Sequence, residues 1–385
     1  MVTLVEQIKQ RYAAEQAGDL VLATRADQVP ATYDAMTCEW LTAIVCRDVP
    51  GAAVTGFRFD ARDDGSSNRR RIFLDYNAAG QAAGLPDKLF CKAAENLENR
   101  IVLGVSGTAL AESNFYNLVR HRLDIPTPHA RFAGFDPDNF AYVIVMDDMA
   151  DDVVFPDERI EMTWKMAVQQ VTTLAGLHSR FFEDPELGTA ALPFKRWPDW
   201  WQAMMTGAPR FGEFCDRAFG DAEAVIPARL FKRRSEIWPA TERSVLRHND
   251  LPHTLIHSDV HFKNWFILGD GRLGLNDWQL TTIGHWSRDF AFATTTSLTV
   301  ENRRRWGDDL LRFYLDEMAR RGVPAVAFDE ARRNVSQQLF SALAFWTITL
   351  RPADDMPAMQ PEHTTYEFIK RLATAIDDLD ALDAF

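Results

Sequence analysis

The pattern of hydrophobic and polar positions changes character along this chain. Over the first fifty residues it predicts helix, ending with Trp40-Leu41-Thr42-Ala43-Ile44-Val45 ahead of a stop at Pro50-Gly51. β-Forming residues then crowd into short runs at 54–59 (VTGFRF) and 71–76 (RIFLDY). The small polar residues Asp63-Asp64-Gly65-Ser66-Ser67-Asn68 between them read as a hairpin turn. A further strand is expected at 89–92 and a helix over 107–123, stopped by Pro126 and Pro128. Two more strands are expected at 130–134 and 140–146, around the turn 136–139. Beyond Met149 helical spacing dominates. Met166, Val168, Val171, Leu174 and Leu177 predict a long buried helix over 162–182, and 303–321, 329–350 and 364–382 read the same way. One β-like insertion interrupts them, at 254–256, 265–268 and 273–275 around Gly269-Asp270-Gly271. The expectation is an α+β chain, strand-rich over 1–148 and helix-rich over 149–385.

At 385 residues the chain can hold two or three packing units. Its 42 Lys+Arg against 55 Asp+Glu give a net charge of -13, which argues against a protein that coats nucleic acid, because neutralising many phosphates takes a basic surface. A local basic pocket for one small anion is compatible with that balance. Cys38, Cys46, Cys91 and Cys215 contain no CxxC pair, which excludes a disulfide framework or zinc ribbon and fits a reducing cytoplasm. The N-terminal MVTLVEQIKQRYAAEQ is polar and helix-prone, unlike a secretory leader, and the longest strongly apolar run, 340–350, falls short of the ~18 residues a membrane span needs. A soluble cytoplasmic protein with no membrane or nucleic-acid partner is the expectation; the pattern says nothing of oligomeric state.

The densest polar cluster is His257-Ser258-Asp259-Val260-His261-Phe262-Lys263-Asn264, with an apolar strand on either side. A second strand ends in Asn276-Asp277-Trp278-Gln279. A carboxylate and a carboxamide at the mouths of adjacent short strands, with a second carboxylate nearby, suit a hard cation such as Mg²⁺. That ion takes oxygen ligands, keeps several waters and is commonly held by one or two carboxylates plus substrate phosphates. Alone, Asp259 reads equally well as a turn-capping residue; the Asp-x4-Asn and Asp set between strands does not.

HSDVHFKN over 257–264 resembles the HGDxHxxN catalytic-loop motif of the aminoglycoside phosphotransferase and choline kinase superfamily, and NDWQ over 276–279 resembles its metal-binding motif. Further segments are similar in order and spacing: the lysine strand LFCK (89–92), AESNFY (111–116) with its helix glutamate, the hinge-like IVMDDM (144–149), LAGLH (174–178) and GHWSRDFA (284–291). The resemblance spans roughly residues 35 to 350. The E-x-x-F-Y and DWQ forms lean toward the ecdysteroid-kinase-like branch.

This resemblance implies a bilobal protein-kinase-like fold, with a small β-rich nucleotide-binding lobe and a larger helical lobe that carries the catalytic loop, metal site and acceptor pocket. It implies ATP- and Mg²⁺-dependent transfer of the γ-phosphate to a hydroxyl of a small molecule, with ATP over GTP only by default. Asp259 would accept or orient the proton of the acceptor hydroxyl, and Asn264 and Asp277 would hold Mg²⁺. Lys92, fixed by an ion pair with Glu112, would reach the α- and β-phosphates. The backbone of Met146, Asp147 and Asp148 would bind the adenine, and Gly65, Ser66 and Ser67 would form a flexible loop over the phosphates. His257, Gln279 and Asp289 would support the site, Asp289 by fixing the catalytic loop. Two features depart from the family pattern: Ser258 stands where glycine is usual, and the phosphate loop has the single glycine Gly65.

Other readings compete. His248, His253, His257 and His261 could form a zinc site, making the chain a metal-dependent hydrolase built on His257, Asp259 and His261. That reading leaves Lys92, Glu112 and the hinge-like segment unexplained. A nucleotide-binding pseudokinase or regulatory module is the other alternative. Trp197, Trp200 and Trp201 read first as core and second as an aromatic wall for an acceptor. Arg69, Arg70 and Arg71 are either a solvated strand start or added positive potential near the phosphates.

Overall fold

One antiparallel sheet organises the first part of the chain. The computed structural model describes residues 3–352 and 360–385, in two units: Met1–Asn117 with Pro128–Asp151, and Leu118–Thr127 with Asp152–Phe385. In the first unit, α1 (Leu4–Ala17) starts at a capping box between Thr3 and Glu6, and α2 (Cys38–Val45) starts at Thr37. They precede β1 (Val54–Phe59), β2 (Asp63–Asp64) and β3 (Asn68–Tyr76). A short α3 (Ala78–Ala82) leads into β4 (Lys88–Ala93), then α4 (Leu97–Ser106), α5 (Thr108–Asn114), β5 (Ala130–Phe135) and β6 (Tyr142–Asp147). Across the sheet the order is β1-β3-β4-β6-β5, with β2 on β3.

The register decides what each face of this sheet carries, because residues paired across antiparallel strands share a face. Phe57 pairs with Leu74, Ile72 with Leu89, and Cys91 with Val145. This face packs on Trp40, Leu41 and Ile44 of α2 to form the core. The alternate positions point the other way. There Arg69 pairs with Lys92 and Lys92 with Ile144, while Arg71 pairs with Phe90 and Phe90 with Met146. Arg58 and Lys88 lie on the same side through their pairing with Phe73, so the face opposite the core is markedly basic.

Two helical expectations are corrected here. Residues 18–32 are not helical, and between α1 and α2 there is only a 3₁₀ turn, Tyr33–Ala35. Gly18 and Pro30 break the pattern, and proline also forces its predecessor out of helical backbone. The helix expected over 107–123 is regular only as α5, and it is preceded by an unexpected α4 that starts at the Asn96 cap and ends at Gly107, whose φ is +75°. After α5 the chain widens into a π turn, Phe115–Val119, and then tightens into a 3₁₀ turn, Arg120–Arg122.

The second unit opens with β7 (Val153–Val154) and the long α6 (Trp164–Arg180), whose Val171, Leu174 and Leu177 are buried. Then come α7 (Trp197–Gly207), α8 (Phe211–Asp221), α9 (Ala228–Phe231) and α10 (Arg234–Leu246). The β-like insertion is present as β8 (Thr254–Ile256), β9 (Trp265–Leu268) and β10 (Leu273–Leu275), joined by an unpredicted β11 (Thr282–Gly284). β9 and β10 form a hairpin extended by β7, while β11 pairs with β8. At two and three residues, β7 and β11 are too short for alternation to reveal. The remaining helices are α11 (Ser287–Ser297), α12 (Val300–Arg320), α13 (Phe328–Gln337), α14 (Leu339–Leu350) and α15 (Glu362–Asp378). The single helix expected over 329–350 is divided at Gln338, whose buried side chain accepts from His248 Nε2 and donates to the Ser244 carbonyl. Among the described residues, no helix is long and apolar enough to cross a membrane.

Candidate active site

In the first unit, β4 carries Lys92 on the basic face and α5 brings Glu112 to it. The ammonium lies 3.0 Å from both carboxylate oxygens. Glu112 is fully buried and Lys92 nearly so. A buried carboxylate needs compensation on every side, and Tyr142 of β6 gives Glu112 a second partner through its hydroxyl. Sequence reasoning missed Tyr142: in a strand pattern it is indistinguishable from an apolar core residue.

The Gly65–Ser67 turn joins β2 to β3. The Gly65 N–H donates to the Ser67 carbonyl at 3.0 Å, and Asn99 of α4 donates to the carbonyls of Gly65 and Ser66 at 2.8 and 2.7 Å. Asn68 braces the turn from below, donating to Asp64 and accepting from the Glu95 N–H, both at 2.7 Å. Of the arginines that follow, Arg69 pairs with Asp63 at 2.9 Å and Arg71 with Asp148 at 2.7 Å, while Arg70 lies over Tyr33 and Phe59.

Met146 pairs with Phe90, and Asp147, the last residue of β6, pairs with Leu89. Asp147 donates its N–H to the His129 carbonyl at 3.0 Å, and its carboxylate takes Arg131 at 2.7 Å and His129 at 3.1 Å. Burial would raise the Asp147 carboxyl, yet these bonds hold it below the usual range. The buried Asp148 carboxylate accepts from Arg71 and from the Ala150 N–H. Both acidic side chains are therefore committed within this unit.

In the second unit, β8 delivers the chain into the polar loop. Two consecutive backbone N–H groups, of His257 and Ser258, donate to the two oxygens of Asp289 at 2.7 and 2.9 Å. Asp289 stands in the first turn of α11 and is fully buried. Burial would raise its carboxyl, but the hydrogen bond and charge of His178 and the donating amides hold it below the ordinary value. His178 of α6 contacts Asp289 through Nε2 at 3.2 Å and Tyr314 through Nδ1 at 2.8 Å, linking α12, α6 and α11 beneath the loop.

Ser258 has a φ of +67°, the left-handed region that favours glycine. Its Oγ shares a 2.6 Å hydrogen bond with Thr282, and its carbonyl accepts from the buried Arg288 at 2.9 Å. Arg288, also missed from sequence, lies 3.7 Å over the Trp197 ring, and burial pulls its guanidinium down to about 10. Trp197, Trp200 and Trp201 are all buried in a cluster with Phe211 and Ile348, so the tryptophans are core and not an exposed wall.

Asp259, with its side chain one-third exposed, is the reachable carboxylate of the loop. Asn264 turns its amide nitrogen to it, donating to the Asp259 carbonyl at 2.8 Å and to its carboxylate at 3.1 Å. That orientation points the Asn264 carbonyl oxygen to the other side of the amide. The Asn276 N–H donates to the Asn264 backbone carbonyl at 2.9 Å, which leaves the side-chain oxygen out of this bond and brings the Asn276–Gln279 segment alongside. Asp277 follows in left-handed backbone, φ +59°, before the 3₁₀ turn that contains Gln279. An oxygen-only pair of one carboxamide and one carboxylate is the donor chemistry Mg²⁺ accepts. A left-handed non-glycine residue at this point is the kind of strain that collects at ligand sites.

The zinc reading does not survive this geometry. His257 donates through Nε2 to the Asn276 carbonyl at 2.8 Å and accepts the Asp259 N–H on Nδ1, so both ring nitrogens are committed. His248 is similarly engaged, accepting the His285 N–H on Nδ1 and donating to Gln338 from Nε2. Among the described residues, no group of three or more His, Cys, Asp or Glu side chains could hold a metal ion.

The sequence over residues 109–326, more than half of the chain, matches the model of the phosphotransferase enzyme family (APH), and the chain belongs to that family. It is a small-molecule kinase, and a nucleotide is the phosphoryl donor that the family brings with it. Solved structures of similar fold include a microcompartment-associated aminopropanol kinase, at 13% identity over 84% of this chain and 92% of that one, with a TM-score of 0.49. A Plasmodium vivax ethanolamine kinase is similar at 10% identity over 99% and 95%, TM-score 0.47. Choline kinase LicA from Streptococcus pneumoniae is similar at 13% identity over 83% and 94%, TM-score 0.44. No curated protein matches the chain.

Proposed function

We propose that this chain transfers the γ-phosphate of ATP, with Mg²⁺, to a hydroxyl group of a small molecule. The observation that carries the reading is the Asn264 amide. By donating from its amide nitrogen to both the carbonyl and the carboxylate of Asp259, it holds the base and presents its own oxygen as a metal ligand in one arrangement. Phosphoryl transfer asks mainly for positioning and charge neutralisation, so a rigid set of oxygens and one base are the parts it needs.

Each residue then has a task. Asp259 accepts or orients the proton of the acceptor hydroxyl. Asn264 and Asp277 are the ligands for Mg²⁺, which when bound neutralises phosphate charge. Lys92, aimed by Glu112 and Tyr142, supplies a cation to the α- and β-phosphates, and Arg69 beside it adds positive potential. Asp289 keeps the loop backbone fixed so that Asp259 need not reorganise as the reaction proceeds. The Met146–Asp148 backbone serves the base of the nucleotide.

A screen for ADP release with ATP or GTP, across amino sugars, choline-like amines, sterols and macrolides, tests the reading. It predicts acceptor-dependent ADP release matched by phosphorylated product and abolished by EDTA. Release that ignores EDTA, or nucleotide binding with no turnover on any acceptor, would overturn it.

A further inference from the structure

The second unit contains a cavity of about 210 Å³ whose walls include none of Asp259, Asn264 or Asp277. It lies among α11, α12 and α13, with Leu339 of α14 and with Asp378 and Leu379 at the end of α15. Its walls are of two kinds. Phe290, Leu311 and Val335 are apolar, while Arg303, Arg304 and Arg332 line it together with two carboxylates, Asp378, which the first two share, and Asp308, which pairs with Arg332 at 3.2 Å.

Arg303 is the unusual member. It is nine-tenths buried and shares the Asp378 carboxylate with Arg304, which takes both oxygens at 2.8 and 3.0 Å. The Arg303 Nε is buried with no hydrogen-bond partner. Because it shares one carboxylate with Arg304, Arg303 keeps positive charge that an anion at the cavity wall would offset.

Gly307 gives an independent indication. It lies inside α12, where glycine is a poor helix former, yet a Cβ placed there would meet nothing within 4 Å. Close packing does not demand glycine at this point; its missing side chain instead leaves the wall of the cavity open.

We propose that this cavity binds a small organic carboxylate, its anionic end on Arg303 and its apolar body against Phe290, Leu311 and Val335. An apolar cavity of ~150 Å³ accommodates benzene, so the volume here suits a ligand of roughly eight to ten heavy atoms.

Calorimetric titration of the full chain with benzoate and phenylacetate tests this, with benzyl alcohol and benzylamine as neutral and cationic controls of matching size. Saturable binding of at least one acid is expected, at least about tenfold tighter than either control. Arg303→Met should weaken it by about tenfold or more. Gly307→Leu, which fills the space with a better helix former, should abolish it while leaving the melting temperature at or above that of the parent. If Arg303→Met fails to fold because Asp378 loses a partner, Gly307→Leu decides alone. No saturable heat with either acid up to about 10 mM overturns the proposal, and so does equal affinity in the parent and Gly307→Leu.

Discussion

Ser258 and Asp277 sit in backbone that most side chains avoid. At Ser258 the left-handed geometry costs about 1–2 kcal/mol relative to glycine. The Oγ bond to Thr282 returns about 1 kcal/mol. The two effects nearly cancel, so Ser258→Gly should change stability by no more than ~1 kcal/mol and leave kcat within about threefold. Ser258→Val, β-branched and without the hydroxyl, should lose at least ~2 kcal/mol in chemical denaturation. The identity of the residue was legible from the sequence as a departure from the family's glycine; the hydrogen bonds that make the departure tolerable were not, because Thr282 and Arg288 are distant in the chain. At Glu112 the prediction is larger. Glu112→Ala leaves the Lys92 ammonium buried without its carboxylate, which should cost ~3–5 kcal/mol and raise the KM for nucleotide. A urea titration with nucleotide kinetics checks both.

Among the elements, α11 matters most to the loop, because its first turn places Asp289 under two backbone N–H groups. Asp289→Ala strands both donors, each at a cost of ~1–3 kcal/mol, and frees the loop that carries Asp259. The expected signature is a fall in kcat of about tenfold or more with nucleotide affinity retained. Comparable losses in both would mean that α11 holds the fold and not specifically the loop. This element level is also where the sequence was most uneven as a guide. Thr254–Ile256, Trp265–Leu268 and Leu273–Leu275 are continuous β-forming runs bounded by turn residues, and each is a strand. By contrast, α4 lies wholly before the helix expected over 107–123, and only α5 falls within it, because the Asn96 cap and the left-handed Gly107 that bound α4 leave no mark on the periodicity. The Gly65–Ser67 turn was located from its composition, but its bracing by Asn99 depends on a helix that the pattern did not show.

At the scale of the whole molecule, the net charge of -13 is carried on many surfaces, whereas the acid response is set by a few buried histidines. Burial pushes His248 down to about 3 and also lowers His261 and His285, so all three are neutral in the folded protein near neutral pH. Their ordinary pKa in the unfolded chain is about 6.5. As pH falls, the unfolded state takes up those protons first, so the stability they contribute is complete above about pH 6.5 and declines below it. Asp289, held below the carboxylate range, adds a further loss at lower pH. Melting temperature should therefore be flat from about pH 8 to 6.5 and fall steadily toward pH 4.5, whereas a rise on acidification would contradict this assignment.

The central claim is that Asp259, oriented by Asn264, serves the acceptor hydroxyl in phosphoryl transfer. Its most direct test is the kcat of Asp259→Ala on an acceptor established by the ADP-release screen, with nucleotide affinity measured alongside. Loss of general-base assistance predicts a fall of about 10²–10⁴-fold in kcat, with nucleotide affinity unchanged within about threefold. A variant that turns over at the parental rate would contradict the account.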